Sequence, residues 1–202
     1  RQLKRNQALS PIEVQDLLLL SWQEDLYNQT IRYLSLRPHS QKEIRDYLSR
    51  RIFVIKRKSL DAKLAEEMDL EKNLPTLINK IIDRLKGNKF IDDREFSRWL
   101  IRQRLTYRPR GKRALLIELR QKGVDKEVTD EVMADESVFS AEAEEKTAQK
   151  LAEKIWKNFK LTKGSKPEII YKYRQRLWQR LISRGFSYNL VKTIVDDLLH
   201  KE

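Results

Sequence analysis

The chain contains no cysteine and little glycine, proline or histidine. Its 202 residues include five Gly, five Pro and two His. Without cysteine, neither a disulfide framework nor a thiolate metal site can form, and a reducing, cytoplasmic setting is favoured. So few turn-forming residues argue against a β-rich fold, which needs many tight turns.

Long apolar runs are also absent. The longest purely aliphatic run, residues 17–20, is far shorter than the roughly 20 residues of a membrane-spanning helix. Charged residues make up 36% of the chain, but 40% are hydrophobic and available for a core. Apolar residues recur at helical spacing, and no segment alternates with period two for long enough to be a strand. The sequence therefore predicts an all-α protein.

Capping residues mark the predicted helix starts. Ser10 is followed by Pro11 and Glu13, the pattern of a helix that begins with a capping box. Ser40 and Ser187 are further predicted caps, because an apolar helical pattern follows each of them. A proline also suits the first turn, so Pro75 is predicted to begin a helix.

Glycines mark the predicted helix ends. Gly87, Gly123 and Gly185 each follow an apolar stripe, and glycine tolerates the left-handed backbone that ends many helices. A further break is predicted at residues 163–164. The charged segment 53–73 is predicted to continue a helix and then form a connector.

A weak repeat relates parts of the chain to one another. Residues 37–48 match residues 108–119 at a shift of 71, and residues 119–132 match 181–194 at a shift of 62. Each predicted unit has three helices and too little core of its own, so neighbouring units need to stack. The predicted domains are an N-terminal helical extension at 1–25, a first three-helix unit at 26–91, a second at 92–135 and a third at 136–202.

The chain is strongly basic. Its net charge is +13, from 43 basic and 30 acidic residues, and such a field attracts polyanions, of which nucleic acid is the commonest. Residues 94–122 alone carry ten Lys or Arg against two acids. In this stretch Phe96 and Trp99 form an apolar stripe, whereas Arg94 and Arg98 fall on the opposite side of the helix.

Catalytic chemistry has little support in the sequence. His39 and His200 lie beside no nucleophile and at no metal-ligand spacing, and both are predicted to be exposed. The aspartate pairs at 92–93 and 196–197 are explained by helix capping and by a helix surface. Residues 163–165 lack the upstream glycine of a phosphate-binding loop. No catalytic residue, metal or cofactor is therefore predicted.

Three stretches together carry a family pattern. The first, residues 37–48, reads Arg-Pro-His-Ser-Gln-Lys-Glu-Ile-Arg-Asp-Tyr-Leu; the second spans residues 82–96; the third, residues 110–124, contains Glu-Leu-Arg-Gln-Lys-Gly-Val. In order and spacing they resemble the RecX regulatory proteins, which modulate the RecA recombinase. Lys112 departs from the pattern, because a proline usually follows the glycine at that point.

The resemblance implies a fold and a function. The expected fold is a curved array of three-helix units, and the expected protein is a monomer without enzymatic activity. It would bind along the groove of the RecA–DNA filament and limit filament growth, ATPase activity or strand exchange. Two alternatives stay open: a helical transcription or architectural factor that acts directly on DNA, and a scaffold for an acidic protein.

Basic side chains are the predicted contacts with the RecA–DNA filament. Arginine and lysine on an outward face can pair with acidic protein surface and with DNA phosphate, although a solvated helix face would look the same in sequence. The main predicted contact consists of Arg94, Arg98, Arg102, Arg104, Arg108, Arg110, Lys112, Arg113, Arg120 and Lys122. A second predicted contact consists of Arg174, Arg176, Arg180 and Arg184.

Overall fold

The computed structural model describes residues 8–57, 70–159 and 166–200, and all regular structure in these ranges is α-helical. This confirms the all-α prediction. None of the described helices combines the length and apolar character needed to cross a membrane. The helices are α1 (Pro11–Leu34), α2 (Gln41–Arg57), α3 (Leu70–Gly87), α4 (Asp93–Thr106), α5 (Lys112–Gln121), α6 (Lys126–Ala134), α7 (Ala141–Lys157), α8 (Pro167–Ser183) and α9 (Tyr188–His200).

The chain divides into two compact units, Arg1–Asp92 and Asp93–Glu202. In the first unit, α1, α2 and α3 pack around one core, which includes Leu26, Leu48 and Ile81. Each of the three helices buries its apolar residues in this core, as expected of amphipathic helices that pack together. The division of the chain into three units and an extension stays a prediction.

The second unit contains two cores. Helices α4, α5 and α6 enclose the first, around Phe96 and Leu119. Helices α7, α8 and α9 enclose the second, around Leu177 and Phe186, and it also contains Trp156. Because α4 packs against α7 as well, the two helix trios of this unit are in contact.

The predicted capping residues begin their helices. Ser10 and Glu13 form the reciprocal capping box, with Pro11 in the first turn of α1. The Ser40 hydroxyl accepts the Glu43 N–H at 3.2 Å, and the Ser187 hydroxyl accepts the Leu190 N–H at 3.3 Å. Residues 11–34 form a single helix of 24 residues, α1.

Two predictions for the third helix are wrong. Pro75 does not begin it, because α3 is already helical from Leu70, and the proline lies inside the helix. There its missing N–H leaves one backbone hydrogen bond unmade. Gly87 is the last helical residue, and the left-handed conformation falls on Lys89, with φ of 58°. The predicted break at residues 163–164 lies outside the described residues.

Three helices end in the same hydrogen-bonded turn. In each, an apolar residue donates its backbone N–H to the carbonyl of a buried leucine five positions earlier, a Schellman-type closure. These bonds run from Phe90 to Leu85 (2.9 Å), from Val124 to Leu119 (3.1 Å) and from Phe186 to Leu181 (3.4 Å). The preceding left-handed residues are Lys89, Gly123 and Gly185. Only the first of the three turns uses a side-chain-bearing residue where glycine is favoured.

His39 is buried, and the prediction that it is exposed is wrong. Only 3% of the residue is accessible to solvent. Its ring centroid lies 3.9 Å from that of Tyr33, which in turn stacks on Tyr47 at 4.3 Å. His39 is therefore part of an aromatic stack in the first unit. The side chain of His200 lies outside the described residues.

Replacing Lys89 with glycine should stabilise the fold. The left-handed backbone costs an L-residue about 1 kcal/mol or more, and glycine removes that strain at a smaller cost in unfolded-chain entropy. We expect Lys89→Gly to raise the free energy of unfolding by about 0.5 to 1 kcal/mol in urea denaturation.

The matched control is Lys86→Gly, since Lys86 lies in the last turn of the same helix. It should lower the free energy of unfolding by about 1 kcal/mol, because glycine is a poor helix former. Equal destabilisation by both substitutions would contradict the strain assigned to Lys89.

Candidate functional site

Four of the predicted contact residues line one pocket in the second unit. Arg104 comes from the end of α4, Arg108 and Arg110 from the loop that follows, and Arg184 from the end of α8. Tyr107 and Ser183 complete the lining, and the pocket volume is about 470 Å³. We call this the arginine pocket. It brings a residue of the second predicted contact beside three residues of the main one.

Two glycines allow the loop before α5 to approach the end of α8. The Gly111 N–H donates to the carbonyl of Arg184 at 2.9 Å. A Cβ on Gly111 would lie 2.5 Å from the Gly185 carbonyl oxygen, and a Cβ on Gly185 would lie 2.5 Å from the Cβ of Ala114. Both contacts are shorter than any side chain tolerates, so the two backbones approach this closely only with glycine at 111 and 185.

Two further bonds hold the loop before α5. The Lys112 N–H donates to the Glu144 carboxylate at 2.7 Å, and Glu144 belongs to α7. A proline at position 112 would have no N–H for this bond. The Arg184 guanidinium also donates to the Pro109 carbonyl at 3.3 Å. The loop is thus attached to both α7 and the end of α8.

Glu118 is the carboxylate beside the arginine pocket. Its Oε2 accepts from Arg104 Nε at 2.9 Å and lies 3.5 Å from Arg110 Nε, and its side chain is only 13% exposed. Partial burial raises the pKa of Glu118, but the hydrogen bonds and charge of Arg104 and the charges of Arg110 and Lys122 outweigh it. The net pKa of Glu118 therefore lies below its ordinary value, and the carboxylate stays ionised.

The guanidinium groups that line the pocket outnumber the Glu118 carboxylate. Glu118 pairs with Arg104 and Arg110, and it orients Arg104 most directly. Arg108 and Arg184 lie exposed at the pocket. Planar guanidinium groups suit the paired oxygens of phosphate or carboxylate, so the pocket can bind an anion.

A second basic hollow adjoins the arginine pocket. It is lined by Arg176, Gln179, Arg180 and Ser183, with a volume of about 360 Å³. Ser183 borders both hollows. Arg176, Arg180 and Arg184 thus continue the positive surface along α8.

The predicted contact residues Arg94, Arg98 and Arg102 of α4 lie near acidic side chains. Arg94 pairs with Glu131, with Nη2 to Oε2 at 2.9 Å. Hydrogen bonds from Ser137 are the main reason that the pKa of Asp135 is lowered, and the nearby charges of Arg98 and Arg102 lower it further. This row is therefore partly neutralised by residues of the same unit.

The remaining predicted residues lie outside the arginine pocket. Lys112 and Arg113 are exposed in the first turn of α5, and Arg120 is exposed near its end. Lys122 is half-buried after that helix, and Arg174 donates to Asp196 at 2.9 Å. Outside the arginine pocket and the adjoining hollow, the two contacts stay predictions.

Sequence reasoning missed an aromatic pocket on the other side of α8. It is lined by Arg174, Gln175, Trp178, Tyr188 and Lys192, with a volume of about 410 Å³. The sequence signal was a tryptophan one helical turn after an arginine, together with a tyrosine directly after a predicted cap. Neither signal identifies a pocket alone, because the two aromatics come from different helices.

Two family models match the chain. One is described as RecX, first three-helix domain, and matches residues 27–53; the other is RecX, second three-helix domain, and matches residues 92–133. Helices, cores and matches together define an all-α protein built from tandem three-helix domains. The second match includes α4, the arginine-rich loop, α5 and all but the last residue of α6.

Relatives and a solved structure agree with these matches. The chain is 34% identical over 119 residues to the regulatory protein RecX of Mycobacterium sp. (strain KMS), which covers 59% of this chain and 62% of that protein. It is 29% identical over 172 residues to the regulatory protein RecX of Prosthecochloris aestuarii, covering 85% of this chain and 92% of that one. A crystal structure of a regulatory protein RecX, 22% identical, superposes with a TM-score of 0.64 over 96% of this chain and 83% of that chain. The chain belongs to the RecX family of regulatory proteins.

The charge of Glu118 should matter for stability. In Glu118→Gln, the half-buried Arg104 loses its charged partner, and we expect the free energy of unfolding at pH 7 to fall by about 1 to 2 kcal/mol. Because the folded-state pKa of Glu118 is depressed, its contribution is present above the unfolded-state pKa and is lost as pH falls through the folded-state pKa.

Urea denaturation of both proteins at pH 7 and at about pH 3 tests this, since the unfolded-state pKa of Glu is about 4.3. The difference between wild type and Glu118→Gln should shrink at the lower pH. The control is Glu136→Gln, because Glu136 is exposed. A difference that stays the same at both pH values would contradict the ion-pair assignment.

Proposed function

We propose that the protein binds the RecA–DNA filament in the cytoplasm and limits recombinase activity. Membership of a family of regulatory proteins supports a regulatory role. The observation that carries the proposal is the arginine pocket, where four guanidinium groups lie around one cavity and two of them pair with the Glu118 carboxylate. The proposed action is binding, without a chemical step.

The physical basis of binding is electrostatic. A nucleoprotein filament presents phosphate groups and acidic protein side chains, and the net charge of +13 attracts the protein to such a surface. Each phosphate that an arginine neutralises releases condensed counterions, so affinity should fall steeply as salt rises. Arginine adds paired hydrogen bonds to phosphate or carboxylate oxygens, which lysine makes less well.

The arginine pocket is suited to this task because its loop is held in place. The Gly111 N–H and the Pro109 carbonyl both bond to Arg184, and the Lys112 N–H bonds to Glu144. A loop that is already ordered loses less conformational entropy on binding. We therefore place the main contact at Arg108, Arg110 and Arg184.

Other predicted arginines should contribute less. Arg94 is paired with Glu131 and Arg174 with Asp196 in the protein itself. A new contact at either position would replace an existing ion pair, so the net gain would be small. Arg176 and Arg180, beside the shared Ser183, are better placed to extend the contact.

Direct binding to DNA is the second candidate function. The same pocket favours it, because its positive charge suits DNA phosphate whether or not RecA is present. Two assays separate the candidates: RecA ATPase activity on single-stranded DNA with and without the protein, and DNA binding by the protein alone. Strong ATPase inhibition with weak DNA affinity supports filament regulation. Tight, sequence-dependent DNA binding without an effect on RecA would refute it.

Removing two pocket arginines should weaken the effect on RecA. In Arg108→Ala/Arg110→Ala, we expect a protein with unchanged far-UV circular dichroism that needs about tenfold or more higher concentration to inhibit the ATPase. A plot of log affinity for the filament against log salt concentration should also become less steep, by the equivalent of about two phosphate contacts. Both side chains are exposed, so the fold should persist.

The matched control removes the same charge from the first unit. Arg32 and Arg50 are exposed residues of α1 and α2, so Arg32→Ala/Arg50→Ala lowers the net charge equally. It should inhibit almost as well as the wild type. If both double variants inhibit equally, net charge alone explains binding and the arginine pocket is not the contact.

A further inference from the structure

The aromatic pocket combines two rings with polar and basic groups. Trp178 and Tyr188 meet edge to face, with centroids 5.0 Å apart and planes at 70°. Tyr188 is 63% exposed, whereas Trp178 is half-buried and packed against the core. Two rings at this angle form a corner, so a flat molecule that stacks on one ring can contact the other ring with its edge.

The other lining residues suit a nucleotide. Gln175 can both donate and accept hydrogen bonds, as the edge of a nucleobase requires. Lys192 supplies positive charge at the same cavity, and Arg174 lines it while paired with Asp196. The volume of about 410 Å³ leaves room for one base and part of its sugar-phosphate.

A path for neighbouring phosphates runs around α8. Gln175 and Gln179 lie one turn apart on the outer face of the helix, between the aromatic pocket and the hollow that contains Arg176 and Arg180. The hollow in turn shares Ser183 with the arginine pocket. The hollow on α8 therefore lies between the aromatic pocket and the arginine pocket.

We propose that the aromatic pocket binds one unpaired nucleobase of a single-stranded nucleic acid, with the base stacked at Tyr188 and Trp178. Adjacent phosphates of the same strand contact Arg176 and Arg180. The proposal rests on the proposed function in that the partner carries nucleic acid, and it adds the form that this nucleic acid takes. Duplex DNA does not fit, because its bases are stacked and paired inside the helix.

Binding to oligonucleotides with and without bases tests the pocket. We measure fluorescence anisotropy of labelled oligothymidylate and of an abasic strand of the same length and phosphate number. Stacking of one base is worth about 1 to 3 kcal/mol, so we expect oligothymidylate to bind about tenfold more tightly than the abasic strand. Binding to a duplex of the same length should not change in Tyr188→Ala, because paired bases do not enter the pocket.

Substitution of Tyr188 locates the effect. Tyr188→Ala should remove most of the tenfold advantage and leave binding to the abasic strand unchanged. Trp178→Phe keeps an aromatic ring in the core and should retain most of the advantage, with the fold intact. The control is Phe53→Ala, because Phe53 is an equally exposed aromatic of the first unit, and it should change neither strand's affinity.

The outcomes are distinct from those of the filament assay. Equal binding of both strands, or equal weakening of both by Tyr188→Ala, would refute the nucleobase pocket. Free thymidine monophosphate that binds as tightly as the oligonucleotide would refute the continuous strand. In any of these cases, ATPase inhibition that depends on Arg108 and Arg110 would leave the proposed function standing.

Discussion

The close backbone contact between Gly111 and Gly185 is the constraint on which the candidate site depends. At this point the loop before α5 meets the end of α8, and a hydrogen bond of 2.9 Å joins them. A Cβ added at either glycine would lie 2.5 Å from an atom of the facing segment. Such a bond contributes only about 1 kcal/mol, but the approach that it requires sets which arginines become neighbours. Arg184 therefore lies beside Arg108 and Arg110.

Clustering like charges is unfavourable for folding, and the surrounding structure offsets it in two ways. Glu118 is ionised and binds Arg104 directly, so one of the four guanidinium groups is largely compensated. The others are exposed to solvent, where water screens their repulsion. The pocket thus remains positive without a large loss of stability. Ligand phosphate would supply the charge balance that the protein leaves incomplete.

Local features were predictable because their signals lie within a few residues. The Ser10 capping box and the glycine turns at 123 and 185 follow from side-chain chemistry and backbone freedom at single positions. The turn at Lys89 was missed because Gly87, two residues earlier, carried the stronger signal. There the hydrogen bond from Phe90 to Leu85 fixes the turn and overrides local preference.

Features that need distant residues were not predictable in this way. The burial of His39 depends on stacking with Tyr33, which in turn stacks on Tyr47 of the next helix. The arginine pocket joins Pro109 and Arg184, 75 residues apart in sequence. The basic composition indicated an anionic partner and a set of candidate arginines. It could not indicate that three of them would share a cavity with Arg184, or that others would pair with acids.

The most direct test of this account is the affinity of Gly111→Ala for the filament formed by RecA on single-stranded DNA. The added methyl meets rigid backbone at Gly185 and Phe186, so it should separate the loop from α8 while the helices persist. The control is Gly87→Ala, whose added methyl meets nothing within 4 Å. We predict that Gly111→Ala loses about tenfold or more in affinity with unchanged far-UV circular dichroism, whereas Gly87→Ala binds like the wild type. Wild-type affinity of a folded Gly111→Ala would contradict it.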